Sequence, residues 1–129
     1  MGPRPVTRPT VLVIDDHGGF RATVRRLLER DGWVVVGEAS DGRTGLRAAA
    51  SLSPDVVLLD IGLPDVDGFE VAERLAAGAA ATSIVLISSH DAETYRERVR
   101  SSAAVAFVAK QELDGRALRA LVGLGDTRP

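Results

Sequence analysis

Three observations predict an α/β fold in which a parallel sheet is covered by helices on both faces. Short apolar runs recur along the chain, at Val11-Leu12-Val13-Ile14, Trp33 to Val36, Val56-Val57-Leu58-Leu59, Ile84-Val85-Leu86-Ile87 and Val105 to Ala109. Most of them are apolar throughout, the pattern of strands buried on both faces. Segments of helical periodicity separate them, and strands that alternate with helices favour parallel pairing.

Composition narrows the class. The 129 residues suffice for one domain with one core. A formal net charge of −2 gives no basic face for nucleic acid. Without cysteine there is no disulfide framework and no thiolate metal site. No apolar run approaches the roughly 20 residues needed to cross a bilayer. Met1-Gly2-Pro3-Arg4-Pro5 leads into polar residues, not into the apolar stretch of a signal peptide. The expectation is a cytoplasmic protein that contacts neither membrane nor nucleic acid directly. Arginine supplies the basic residues, and Lys110 is the one lysine.

Taken in order, residues 1–9 are rich in Pro and Arg and are expected to fray as a flexible N-terminal segment. The first strand ends on Asp15-Asp16, and His17-Gly18-Gly19 reads as a loop. Phe20, Val24, Leu27 and Leu28 recur at helical spacing, and Asp31-Gly32 stops that helix. A strand over 33–36 follows, then a helix over about 43–52 with Leu46 and Ala49-Ala50 inward, closed by Ser53-Pro54. The central strand, 56–60, runs without interruption into Asp60. A helix begins near Gly68, with Phe69, Ala72 and Leu75 inward, and its end within 76–81 is poorly marked. The fourth strand ends on Ser88-Ser89-His90. Asp91 is placed to cap a polar helix running to about Ser101. The fifth strand ends on Lys110, and Leu113, Ala117, Leu118, Leu121 and Val122 make a last amphipathic helix. The domain is expected to span 10–123, with 124–129 a tail.

The polar residues that end the strands form a set: Asp15 and Asp16, Asp60, Ser88 and Lys110. Parallel strands bring all of these ends to one edge of the sheet, where ligands of open α/β sheets bind. Three carboxylates there repel one another, and a hard divalent cation is the usual remedy. Oxygen donors without cysteine favour Mg2+ over zinc. An ammonium and a hydroxyl beside them suit a phosphoryl group.

The sequence resembles the receiver domain of two-component response regulators over about residues 9–123. The resemblance rests on Val11-Leu12-Val13-Ile14-Asp15-Asp16-His17, on Asp60 with Leu63-Pro64-Asp65-Val66-Asp67-Gly68, on Ile87-Ser88-Ser89, and on Phe107-Val108-Ala109-Lys110. Asp-Asp-His before Phe20-Arg21, and Gly32 to Ala39, look most like receivers that carry a helix-turn-helix output domain. Right-handed crossovers leave few topologies. The one expected is the flavodoxin-like doubly wound five-stranded order 2-1-3-4-5, a choice that leans partly on this resemblance.

The resemblance implies that Asp60 is the phosphoacceptor for a sensor histidine kinase. It implies that Asp16, Asp60 and the carbonyl of Gly62 hold Mg2+, with Asp15 helping through a water. It implies that Ser88 binds a phosphoryl oxygen, that Lys110 pairs with Asp60 and then with the phosphoryl group, and that Phe107 is the switch aromatic. The responding surface would be the face of the fourth helix, fifth strand and fifth helix, offered to a downstream protein or to a phosphorylation-dependent dimer.

Some positions depart from the family pattern. Gly18-Gly19 replaces a proline-containing loop, and Phe107 lacks the hydroxyl of the commoner tyrosine. Ala103 stands where a glycine often ends the fourth helix, so another helix stop is needed. Gln111 follows Lys110 where many receivers have proline, so no cis peptide is expected there.

Alternatives stay open at several residues. Asp15 is also placed to cap the following helix, and Ser89 could supply the hydroxyl in place of Ser88. Phe107 is equally consistent with static core. His17 and His90 approach the same edge, but two histidines without a third nitrogen or sulfur ligand are thin grounds for a transition-metal site. The charged fourth helix is either a solvated face or a partner surface.

The competing function is a Mg2+-dependent aspartyl-phosphate phosphatase or phosphotransferase. Against it, Gly62 occupies the place of the second acid in the Asp-x-Asp pattern such enzymes resemble. A flavodoxin-like binding module would need a phosphate-cradling loop where Asp15 and Asp16 stand. The expectation is therefore a signalling switch and not an enzyme. Gly123 to Pro129 is too short for a DNA-binding domain, which favours a stand-alone receiver. The receiver portion of a longer transcription factor is the alternative.

Overall fold

The structure, a computed structural model, describes residues 8–78, 82–89 and 92–124. Five strands, β1 (Thr10–Ile14), β2 (Val34–Ala39), β3 (Val56–Asp60), β4 (Ser83–Ser88) and β5 (Ala106–Ala109), pair in parallel in the order β2-β1-β3-β4-β5. This is the expected flavodoxin-like order. The helices between and after them are α1 (Gly18–Arg30), α2 (Gly42–Leu52), α3 (Gly68–Gly78), α4 (Arg96–Arg100) and α5 (Gly115–Leu121).

Successive strand residues face opposite sides of the sheet, and the core divides accordingly. Val11, Val13, Val56, Leu58, Val85, Ile87 and Val108 face α1 and α5, where Val24, Leu28 and Leu118 cover them. Leu12, Ile14, Val57, Leu59, Ile84 and Leu86 face α2 and α3, where Ala49, Phe69, Ala72 and Leu75 cover them. All four apolar residues of β3 are buried, as expected of a central strand covered on both sides.

Several local expectations needed correction. The strand expected over 33–36 runs over 34–39, because β1 keeps pairing with it past Gly37, out to Ala39. Gly37 sits beside a bulge, and a Cβ there would meet Leu52 and Leu12. Trp33 is instead a core residue of the preceding turn, and its Nε1–H donates to the Gly115 carbonyl at 3.0 Å. Gly18-Gly19 is not a loop but the start of α1. In α2 it is Gly42, Gly45 and Ala49 that are buried, while Ala50 is exposed. Leu121 of α5 is also exposed.

The fourth helix is not one continuous helix either. A 3-10 turn, Ala92–Tyr95, precedes the short α4. The cap expected at Asp91, and His90, lie outside the described residues, as do residues 79–81 at the end of α3. Ser101 and Ser102 supply the helix stop that Ala103 lacks. Ser101 keeps φ at −85°, while Ser102 Oγ donates to the Val99 carbonyl and accepts from the Ala104 N–H. No cis peptide is found among the described residues.

At the edge strand, Glu38 ties β2 to α1. It accepts from Arg25 Nε at 2.8 Å and Arg21 Nε at 3.0 Å. These bonds, with Arg25 foremost, hold its carboxyl below the usual 4.5 against the opposing effect of burial. A depressed carboxyl pKa stabilises above the unfolded value and ceases to do so as pH falls through the folded one. Glu38→Gln is therefore expected to lower stability at pH 7. The deficit should shrink in urea melts taken progressively below about pH 4.5.

A second prediction concerns Gly68, which opens α3 against the end of β3. A Cβ there would lie 2.6 Å from the Asp60 carbonyl oxygen and 2.7 Å from Ile61 Cα. Both are backbone atoms and neither yields by a rotamer change. Gly68→Ala should cost about 1–3 kcal/mol in urea denaturation. Gly19→Ala, with nothing within 4 Å, should be neutral or stabilising by up to about 1 kcal/mol.

Candidate functional site

Strand register assembles the carboxyl edge. Ile14 pairs with Leu59, Asp60 with Ile87, and Ser88 with Ala109. The residues at and just beyond these ends, Asp15, Asp60, Ser88 and Lys110, therefore gather at the same level of the sheet. Asp15, Asp60 and Ser88 are the buried polar side chains of the described residues. Each terminates an apolar run, so the burial that stabilises the strand also draws its last polar residue out of water.

Lys110 is the cation of this edge. Its Nζ lies 2.6 Å from Asp15 Oδ2 and 3.6 Å from Asp60 Oδ2. The expected Lys110–Asp60 pair is thus the longer of two contacts, and the closest partner is Asp15. The approach to Asp15 is an ion pair without hydrogen-bond alignment, since Asp15 Oδ2 is buried and accepts no hydrogen bond. Phe20 lies under the ammonium, 4.6 Å from ring centroid to Nζ, which adds a cation–π contact.

Asp15 is held from both sides. Its Oδ1 accepts the His17 N–H at 2.8 Å, and its carbonyl accepts from Arg21 Nη1 at 2.6 Å. Its side chain does not cap α1, which closes the alternative raised by the sequence. Asp16 sits at the rim, partly exposed, with its Oδ1 3.1 Å from His17 Nδ1. Asp60 Oδ1 accepts the N–H of Gly62 at 3.2 Å. Burial pushes the Asp60 carboxyl above its usual range and the Asp15 charge adds to this, while the Gly62 N–H and Lys110 act against it.

Three carboxylates face one ammonium, so negative charge is in excess. One donor atom from each of Asp15, Asp16, His17 and Asp60 falls within 4.8 Å of the others. Oxygen donors at this spacing, with negative charge in excess, fit a divalent cation. Ser88 ends β4 beside this cluster. Phe107 is half-buried one strand away, its ring centroid 6.2 Å from that of Tyr95, which lies 6.2 Å from Phe69 in turn.

Asp65 and Asp67 stand in the sequence only as part of the Leu63-to-Gly68 motif, and the structure gives each a distinct set of contacts. Asp65 Oδ1 accepts the Gly42 N–H at 2.7 Å and Oδ2 accepts the Arg43 N–H at 3.1 Å. The Gly42 bond foremost holds this carboxyl below its usual range. Asp67 Oδ1 accepts the Phe69 N–H at 2.7 Å, and its Oδ2 meets Arg98 Nη2 at 3.0 Å. The loop after Asp60 is thereby pinned to the start of α2, the start of α3, and α4. The Asp67 cap was readable from an acid preceding Gly68-Phe69. The Asp65 and Arg98 contacts, 23 and 31 residues apart, were not.

The profile of the response regulator receiver domain family matches residues 11–122. Among curated relatives, the virulence-factor transcription regulator BvgA of Bordetella pertussis is 38% identical over 102 residues, 79% of this chain and 49% of that protein. A protein-glutamate methylesterase/protein-glutamine glutaminase of Symbiobacterium thermophilum is 43% identical over 109 residues, 81% of this chain and 30% of that protein. The chain spans about half the length of the first of these, and less of the second. Among solved structures, the signal receiver domain of the response regulator NarL from Mycobacterium tuberculosis superposes with a TM-score of 0.81 at 33% identity, covering 94% of this chain and 98% of that one. The family match runs from the first strand to the end of the last helix, so it takes in every element that builds the acidic edge, and the chain belongs to the response regulator receiver domain family.

Proposed function

We propose that Asp60 accepts a phosphoryl group from a phosphohistidine of a sensor histidine kinase, in a reaction that needs Mg2+. The carrying observation is the setting of the Asp60 carboxylate at the end of the central strand. One oxygen faces Lys110, the other receives the Gly62 N–H, and Asp15 and Asp16 stand beside it. Asp15 is less suited as nucleophile, because it is fully buried and closest to Lys110.

In the transfer, a carboxylate oxygen of Asp60 attacks phosphorus. The P–O bond forms as the P–N bond to the donor imidazole breaks, and the imidazole leaves. Mg2+, when bound, supplies neutralisation of the clustered oxygens and orients the incoming group. Asp16 and Asp60, with the Gly62 carbonyl, would hold it, and Asp15 would assist from behind. Lys110 sits within reach of Asp60 Oδ2, so it can move from carboxylate to phosphoryl oxygen by a small shift. Ser88, at the end of the neighbouring strand, would take another phosphoryl oxygen. Phe107 and Tyr95 would then repack and change the α4–β5–α5 face offered to a downstream protein or a second copy. This is a switch rather than an enzyme with a separate substrate. The similarity to BvgA, a transcription regulator, favours transcription control as the output.

Incubation with a small-molecule phosphodonor tests the chemistry by intact mass. The expected result is a gain of one phosphoryl group that requires Mg2+ and is lost in Asp60→Asn. A gain that survives in Asp60→Asn would overturn the assignment of the acceptor.

The charge excess also predicts a stability effect. Asp60→Asn removes one of three repelling carboxylates and should raise metal-free stability, on the order of 1 kcal/mol or a few degrees in Tm. Mg2+ should stabilise the wild type more than this variant, since binding to the folded state alone raises stability. Thermal melts with and without Mg2+ check both signs.

A further inference from the structure

The turn that follows β1 adds a nitrogen to the acidic cluster. His17 occupies the N-cap position of α1, yet its side chain makes no capping hydrogen bond. Instead Nδ1 lies 3.1 Å from Asp16 Oδ1 and 3.3 Å from Asp15 Oδ1. The backbone of His17 is fixed on both sides, its N–H donating to Asp15 Oδ1 and its carbonyl accepting the Arg21 N–H. Only side-chain rotation is left to aim the ring, and the ring is turned into the carboxylates while its far edge stays in solvent. Its donor nitrogen belongs to the same set of four ligand atoms as Asp15, Asp16 and Asp60.

Donors sharing one cation at about 2.0–2.2 Å are separated by at most roughly 4.4 Å. The four donor atoms of the cluster lie within 4.8 Å of one another, close enough for side-chain rotation to bring them around one ion. Mg2+ takes oxygen donors and keeps its waters, whereas imidazole suits the later divalent metals of the first transition row. An imidazole aimed into the oxygen cluster thus alters which cation the site prefers.

We propose that His17 is a nitrogen ligand of this cation site, through which the receiver takes a later first-row divalent cation, with Co2+ as the probe, by a contact that Mg2+ does not use. The proposal rests on the reading above that Asp15, Asp16 and Asp60 hold a divalent cation, and it names a residue and a preference which that reading does not contain. Oxygen-only sites also bind transition cations more tightly than Mg2+, so preference alone decides nothing. The dependence on His17 decides.

Calorimetric titration of the full chain with Mg2+ and with Co2+, on wild type and His17→Ala, is the test. His17 is exposed, so folding of the variant is not at stake, and circular dichroism verifies it. Loss of the ligand should weaken Co2+ binding by about tenfold or more and leave Mg2+ binding within about twofold. Co2+ affinity indifferent to His17 overturns the proposal, while Mg2+ binding that depends on Asp16 and Asp60 preserves the functional reading. Failure of the wild type to bind either cation overturns both.

Discussion

The ion pair between Asp15 and Lys110 is the contact on which the site depends. Asp15 has no exposure to water, and a charge so placed needs a partner. Breaking such a pair by deleting one member typically costs about 3–5 kcal/mol. The one lysine of the chain answers this need at the end of β5. A compact ammonium can stand between two carboxylates, 2.6 Å from one and 3.6 Å from the other, where the broad guanidinium fork would commit to one of them. The consequence is asymmetric: Asp15 is compensated closely and Asp60 loosely. The upward push on the Asp60 carboxyl, from burial first and the Asp15 charge second, reflects that looser compensation.

The loop after Asp60 carries that asymmetry outward. Asp65 binds the start of α2, and Asp67 binds the start of α3 together with Arg98 of α4. Arg98 also lies over the Phe69 ring, 4.1 Å from its centroid. Phe69, Tyr95 and Phe107 then form a row from α3 to β5. The loop after Asp60 and the start of α3 thus meet α4 and the turn before it through two sets of contacts, a charged one through Asp67 and Arg98 and an apolar one through the rings. Contiguity of this kind is a physical path and not yet a coupling energy.

The strand ends were legible because each site residue closes an apolar run, and parallel pairing does the rest. Asp15, Asp16, Asp60, Ser88 and Lys110 could be brought to one edge without knowing a single distance. Which acid Lys110 meets first could not be read, because it depends on side-chain reach across β1 and β3 in three dimensions. The aim of the His17 ring could not be read either, since it depends on a turn that sequence describes only as loop. Gly18-Gly19 misled for the usual reason: glycine is a weak helix former, and the tertiary contacts of Phe20, Val24 and Leu28 overrode it. Ala50 and Leu121 failed because residues near the ends of short helices drift off the buried stripe.

Tolerance to change differs sharply between the acidic edge and α4. The acidic edge is tied to the core through β1, β3 and β5, so changes there disturb packing and charge balance together. α4 has no fully buried residue; it is held by Val99 packed against the core, by Arg98, by the ring of Tyr95 in the turn before it, and by a serine stop in place of glycine. A segment held by so few contacts lies at the low-stability end of a structure, where substitutions cost little and small inputs shift populations. Proteins as different as a transcription regulator and a methylesterase share similarity with this chain over the receiver. A rigid acidic edge joined to a lightly held helix fits that breadth, because residues of α4 can change without disturbing the packing of the edge.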